Sequence, residues 1–215
     1  MKKLNFSTVT LDKLDEYLNL EFVKDEKLFE TLFNFDYNFS EEENIFLQNL
    51  IDRNLQYVDF YTEEELKMKF LSFILNRIDF YSDGVKDWYE RGLKCKVGNI
   101  MFNGTTDFMV ATGLTEPKKP YFFIQEFKKT KISSLPLPQL LAEMIVAIEL
   151  NNENSIFGAY IIGKRWDFVY LEKVEENSYR YSISESFDSF KLRDLNAIYK
   201  NLQAVKNLYC TKSEK

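Results

Sequence analysis

The sequence has 215 residues, 45% hydrophobic and 29% charged, which is ordinary for one globular domain and short for two. It contains no histidine, which excludes Ser-His-Asp and Cys-His triads, HExxH zinc sites and the usual histidine general base. Catalysis would have to use carboxylates, lysine, tyrosine, hydroxyl groups or a metal bound through oxygen. The formal net charge of −6 argues against nucleic-acid binding, although a local patch or a bound cation can set the field at a site.

Other whole-chain features point to an intracellular protein. Cys95 and Cys210 lie far apart in the sequence, and two cysteines cannot build a disulfide framework or a cysteine-rich zinc site. No apolar run approaches the roughly 20 residues that a membrane helix needs. The first residues lack the apolar stretch of a signal peptide. We expect a cytoplasmic protein with free thiols and no membrane contact.

The first sixty residues have helical patterns. Apolar residues recur at helical spacing over 11–20 and 27–35. Ser40 and Glu43 have the spacing of a capping box, which predicts a third helix start. Thr62 repeats this signal and is followed by three glutamates, which the helix dipole favours in a first turn. That helix is predicted to continue to about Phe80.

Beyond about Leu93 the pattern becomes extended. Two strands are predicted over 94–102 and 107–111, joined by a tight turn at Asn103-Gly104. The continuous apolar run over 121–124 predicts a central strand buried on both faces. The remaining predicted elements are a helix over 139–150, strands over 156–162 and 166–171, an edge strand over 179–183 and a helix over 192–208.

This order predicts an α/β fold with a mixed central sheet flanked by helices. We interpret residues 1–215 as a single domain. It would consist of an extra N-terminal helical segment (1–58), an α/β core (60–172), and an edge strand with a C-terminal helix (173–215).

Three charged residues around the central strand could form a catalytic site. Asp107 lies on one predicted strand, and Glu126 and Lys128 end the next one. Period two would place Glu126 and Lys128 on one face, and pairing of the two strands would bring both carboxylates together. Two carboxylates can hold Mg²⁺, which polarises a phosphate and activates a bound water, while a lysine offsets developing charge.

The context of this Glu-x-Lys sequence matters more than the sequence itself. Charged residues at spacing two are frequent on exposed strand faces, where they carry no special meaning. Here the glutamate directly follows an apolar run. A glutamate at the end of a buried strand is costly unless it is paired or binds a cation.

The arrangement resembles the PD-(D/E)XK nuclease superfamily, whose signature is an aspartate followed on the next strand by Asp/Glu-x-Lys. The similarity covers about residues 60–172 and extends to the helix opened by Thr62-Glu63, to Gln139, and to the strand pair 158–162 and 166–168. Two positions depart from the pattern. Thr106 replaces the proline before the aspartate, and Glu143 stands where some relatives have a tyrosine.

The resemblance implies a restriction-endonuclease-like core, as in nuclease domains of restriction enzyme subunits. It implies a Mg²⁺-dependent hydrolase, in the first place a DNA endonuclease, with Mn²⁺ as an alternative ion. Asp107, Glu126 and Glu63 would be the metal ligands, with Glu65 as the alternative helix acid. Lys128 would orient the attacking water or offset charge, and Gln139 would be a further catalytic residue. Glu63 and Gln139 also have plain interpretations as helix-start residues.

Nucleic acid is the expected partner, with DNA favoured over RNA, and a homodimer or a larger restriction-type complex stays open. Lysines that could contact phosphates are Lys118, Lys119, Lys129 and Lys131, although such lysines are usually only solvated. Trp88 and Trp166 are expected in the core. Two rival hypotheses remain: a non-catalytic nucleic-acid-binding or regulatory module with the same fold, and an unrelated α/β interaction protein.

Overall fold

The computed structural model describes residues 2–82, 84–127 and 136–210, with only the backbone described for 124–127. The described chain forms one eight-stranded mixed sheet. Its strands are β1 Lys2–Asn5, β2 Leu20–Phe22, β3 Val85–Val97, β4 Ile100–Thr112, β5 Pro120–Phe127, β6 Ser155–Ile162, β7 Arg165–Glu175 and β8 Ser178–Asp188. The spatial order is β1-β4-β5-β6-β7-β8-β2, with β3 paired to β4.

Helices flank this sheet. They are α1 Leu11–Leu18, α2 Glu30–Phe33, α3 Glu41–Asn54, α4 Glu63–Leu66, α5 Ser72–Ile78, α6 Leu137–Asn151 and α7 Leu192–Cys210. A π-helical segment, Lys67–Leu71, joins α4 to α5. Such segments are rare and often occur at functional sites. In the described ranges no helix is both long and apolar enough to span a bilayer.

Two hydrophobic cores lie on opposite sides of the sheet. Phe108 and Val110 of β4 pack with residues of α3, α5 and α7, whereas Met109 of the same strand packs with α1 and α6. This alternation follows from the period-two geometry of a strand. Phe122 and Phe123 of β5 are fully buried in the two different cores, so the prediction of a central strand buried on both faces is confirmed.

The sequence signals for two helix starts are confirmed. The Ser40 hydroxyl accepts a hydrogen bond from the Glu43 N–H at 3.1 Å, and the Glu43 carboxylate accepts one from the Ser40 N–H at 2.9 Å. Thr62 and Glu65 form the same reciprocal pair, at 3.2 and 2.9 Å. Each box satisfies backbone donors that a helix start leaves without a partner.

The expectation that the first sixty residues are purely helical is wrong. β1 pairs in parallel with the start of β4, and β2 pairs in parallel with β8. These strands contain only four and three residues, too few for a recognisable alternation. Their partners lie far away in the sequence, so non-local pairing and not local pattern makes them strands. Because β2 covers β8, the predicted edge strand over 179–183 is not the edge of the sheet.

The predicted turn at Asn103-Gly104 is also wrong. Val97 pairs with Ile100, so the tight turn is Gly98-Asn99, with Gly98 at φ 53°. A Gly-Asn pair suits such a two-residue turn, and β3 and β4 are correspondingly longer than predicted. Asp107 therefore lies in the second half of β4 and not near its start.

The remaining elements agree with the predicted pattern. The helix over 139–150 is part of α6, the hairpin around Gly163 joins β6 to β7, and the closing helix is α7. Trp88 and Trp166 are 3% and 0% exposed, as expected for core residues. Cys95 and Cys210 are free thiols.

Candidate metal centre

Asp107 and Glu126 lie at the same end of a strand pair. β4 and β5 are antiparallel, with Phe108 opposite Ile124. Asp107 lies one residue beyond this pair on β4, and Glu126 lies two residues beyond it on β5. The predicted pairing of the two strands is confirmed. It places the backbones of Asp107 and Glu126 at the same end of the β4-β5 pair.

The strand carrying Glu126 is not regular at that residue. Gln125 pairs with Tyr160 of β6, and the next pair joins Phe127 to Ile161, so β5 contains one additional residue, Glu126. Such a bulge bends a strand and redirects its side chains, and bulges are frequent next to active sites. The strict alternation of β5 is therefore interrupted at Glu126. Lys128, with Lys129 and Lys131, lies outside the described residues.

Glu63 lies on the helix that faces Asp107, and Lys67 connects the two acids. The Lys67 Nζ is 3.2 Å from Glu63 Oε1 and 3.6 Å from Glu64 Oε1. Burial disfavours the charge on Lys67, but the carboxylates of Asp107, Glu63 and Glu64 outweigh this and raise the pKa of Lys67. Lys67 therefore lies within electrostatic range of both a helix acid and the strand aspartate.

Glu65, the alternative helix acid, is used elsewhere. Its carboxylate accepts the Thr62 N–H and lies 2.6 Å from Lys69 Nζ. Hydrogen bonds from Lys69 and Thr62 lower the pKa of Glu65 to about 2. Because this carboxylate caps its own helix, Glu63 is the better candidate of the two.

A cavity of about 280 Å³ lies beside Asp107. The π-helical segment lines one side with Lys67 and Met68, and β3 lines another with Tyr89 and Glu90. Glu90 has a left-handed backbone, with φ 48°. Non-glycine residues in this conformation are strained and tend to occur at functional sites.

Gln139 lies near the start of α6 and contacts Glu143. The Gln139 Nε2 donates a hydrogen bond to Glu143 Oε1 at 3.3 Å, and Glu143 has no exposed surface. Gln139 therefore supports a buried acid, whatever else it contacts. In the sequence, Glu143 stands out only as a departure from the pattern of the PD-(D/E)XK resemblance. The sequence nevertheless indicates that this residue is unusual, because Glu143 is the one charged residue between Leu137 and Ile148.

Two of the predicted lysines are far from this centre. Lys118 and Lys119 are exposed on the loop that joins β4 to β5 at the other end of the pair. The Lys118 N–H donates to the Thr112 carbonyl there. These lysines do not join the acidic residues near Asp107.

Glu63 and Asp107 are the two predicted metal ligands whose side chains the structure describes. Their carboxylates are hard oxygen ligands of the kind that Mg²⁺ prefers, and both raise the pKa of Lys67. Among the residues with described side chains, no group of three or more acidic, histidine or cysteine residues could hold a metal ion. Glu126, the third predicted ligand, is not among them.

No protein-family model matches the sequence, and comparison with curated proteins gives no significant match. Membership of the PD-(D/E)XK superfamily therefore stays a prediction. A mixed sheet flanked by helices serves many functions, so the function has to be argued from the site itself.

Proposed function

We propose that this protein is a Mg²⁺-dependent nuclease of the PD-(D/E)XK type that cuts DNA internally. The observation that supports it most is that Lys67 pairs with Glu63 and lines one cavity with Asp107, beside the strand end that carries Glu126. The order of α4–α5, antiparallel β3-β4-β5, α6 and then β6 parallel to β5 supports a restriction-endonuclease-like core.

Each predicted side chain would have a separate role in the proposed reaction. Asp107, Glu126 and Glu63 would hold the ion, which would polarise a phosphate and activate water. Lys128 would orient the water or offset the charge on the phosphate in the transition state. Gln139 would keep the buried carboxylate of Glu143 hydrogen-bonded and so fix the start of α6 beside the site.

The basic residues at the neighbouring surface are already paired with acidic residues, so the proposed binding of nucleic acid would depend on a divalent ion. A cavity of about 600 Å³ opens at the turn between β6 and β7, next to the end of β5, and is lined by Lys164 and Arg165. Lys164 pairs with Asp59 at 2.8 Å, and Arg165 pairs with Asp167 at 2.7 Å. Because acids already balance these cations, the divalent ion would supply much of the attraction for phosphate.

Cleavage of supercoiled plasmid DNA in Mg²⁺ tests the proposal. Glu126→Gln and Lys128→Ala should each reduce the cleavage rate by at least about 100-fold, since each removes a group that acts in the transition state. Glu116→Gln, in the exposed loop at the other end of β4 and β5, should cleave like the wild type. Metal-dependent cleavage retained by both site variants would overturn the assignment. A parallel assay on RNA compares the two substrates.

The net charge of −6 favours one second candidate, a non-catalytic module that keeps the same fold. Such a protein would bind nucleic acid or a regulatory partner without cutting. Binding of a DNA duplex by the wild type, with no cleavage in Mg²⁺ or Mn²⁺, would support this candidate over the nuclease.

A further inference from the structure

The ammonium group of Lys67 lies beside two carboxylates that the proposed metal ion would also bind. Its Nζ is 3.2 Å from Glu63 Oε1, and it shares a cavity with Asp107. The Lys67 side chain is 19% exposed, so water screens these charges only in part. An ammonium group held here offsets part of the negative charge of these carboxylates in the metal-free protein.

We propose that Lys67 is a built-in counter-ion of the metal site, which a divalent cation must displace from Glu63 and Asp107 in order to bind. This inference rests on the metal site of the proposed function. It adds that the free protein is stabilised without metal and that the affinity for metal is correspondingly weakened. Lys67 is thus a residue that sets the threshold for loading and not a metal ligand.

Glu64 is another carboxylate within reach of the Lys67 ammonium group. Glu64 Oε1 lies 3.6 Å from the same Nζ, and its side chain is 74% exposed. A small rotation of the flexible lysine stem would transfer the ammonium group from Glu63 to Glu64. Lys67 is also the first residue of the π-helical segment, a kind of segment that is frequent at functional sites.

Electrostatics gives the sign and the approximate size of the effect. An ammonium group beside a carboxylate weakens the attraction of that carboxylate for a metal ion, because like charges a few ångströms apart repel strongly at a partly buried site. Removal of the ammonium group should therefore strengthen divalent-ion binding by at least about tenfold. Retention of a positive charge at this position should not.

Calorimetric titration of Mn²⁺ into the protein, without nucleic acid, tests this directly. Lys67→Gln and Lys67→Met should bind Mn²⁺ at least about tenfold more tightly than the wild type. Lys67→Arg, which keeps the charge, should stay close to the wild type. Lys69→Gln is the matched control, because Lys69 pairs with Glu65 on the same helix at 2.6 Å. Circular dichroism of each variant should be measured to check that it is folded.

The outcomes separate this inference from the proposed function. Wild-type binding with equal or weaker binding in both neutral Lys67 variants would overturn the counter-ion role and leave the metal site in place. Absence of Mn²⁺ binding in the wild type and in folded neutral variants would overturn the counter-ion role and count against the metal site as well. Tighter binding in both neutral variants, with Lys69→Gln unchanged, is the expected result.

Discussion

The side-chain amide of Gln139 donates a hydrogen bond at 3.3 Å to the carboxylate of Glu143, a fully buried acid one turn further along α6. A buried acceptor that loses a donor costs free energy, because water cannot replace the missing partner. Gln139→Ala should lower the free energy of unfolding by about 1 to 2 kcal/mol, measured by urea denaturation.

Gln48 on α3 is a matched control for this loss. It donates to Asp52, also one turn away, at 2.8 Å on the exposed face. Water can replace that bond, so Gln48→Ala should cost less than about 0.5 kcal/mol. Equal losses for the two variants would show that the burial of Glu143 does not determine the effect.

Asp167 has no exposed surface and depends on Arg165. Two nitrogen atoms of Arg165 donate to its two carboxylate oxygens, each at 2.7 Å. Arg165→Ala should cost about 2 kcal/mol or more, because it leaves a buried charge without its cation. Arg180→Ala removes pairs to Glu21 and Glu172 at the surface and should cost at most about 1 kcal/mol. Thermal unfolding of both variants checks this order.

Gly104 is required by packing inside β4. An added Cβ would come within 2.6 Å of the ring of Phe6, which is 1% exposed. Gly104→Ala should therefore destabilise the protein by about 2 kcal/mol, since the buried ring must shift. At Gly92, on the neighbouring strand, the nearest atom would be 3.9 Å away. Gly92→Ala should be neutral or slightly stabilising, and a comparable loss there would contradict this explanation.

Glu43 should make stability depend on pH in the acidic range. Burial opposes its charge, but hydrogen bonds from Tyr37, Ser40 and Tyr199 outweigh this and lower its pKa from 4.5 to about 2. A lowered folded-state pKa stabilises the fold above pH 4.5, and this contribution is lost as the pH falls towards 2.

Urea denaturation between pH 5 and pH 2 measures this contribution. The wild type should lose on the order of 1 kcal/mol through Glu43 over this range, and Glu43→Gln should remove that part of the slope. Glu41→Gln, on the exposed side of the same helical turn, should leave it in place. An unchanged slope in Glu43→Gln would contradict the assignment.

Local chemistry made much of the fold predictable. The capping residues Ser40 and Thr62, the apolar run of β5 and the long helices α6 and α7 all act through neighbours in the sequence, and all are confirmed. The pairing that brings Asp107 and Glu126 to one end also followed from strand order alone.

Features that depend on distant partners were not predictable. β1 and β2 become strands only because β4 and β8 accept them. Asn103-Gly104 has a good turn sequence, but pairing of β3 with β4 keeps it extended and places the turn at Gly98. The bulge at Glu126 arises from the register with β6. Lys67 and Asp107, which are distant in the sequence, line one cavity only in the folded chain.

Metal binding is the most direct test of the central claim that Asp107, Glu63 and Glu126 form one site. Mg²⁺ and Mn²⁺ should be titrated by calorimetry into the wild type, Asp107→Asn, Glu63→Gln and Glu126→Gln, with exposed Asp52→Asn as the control. The shared site predicts binding by the wild type and the control, and a loss of at least about tenfold in each site variant. Unchanged binding in Asp107→Asn and Glu126→Gln would contradict it.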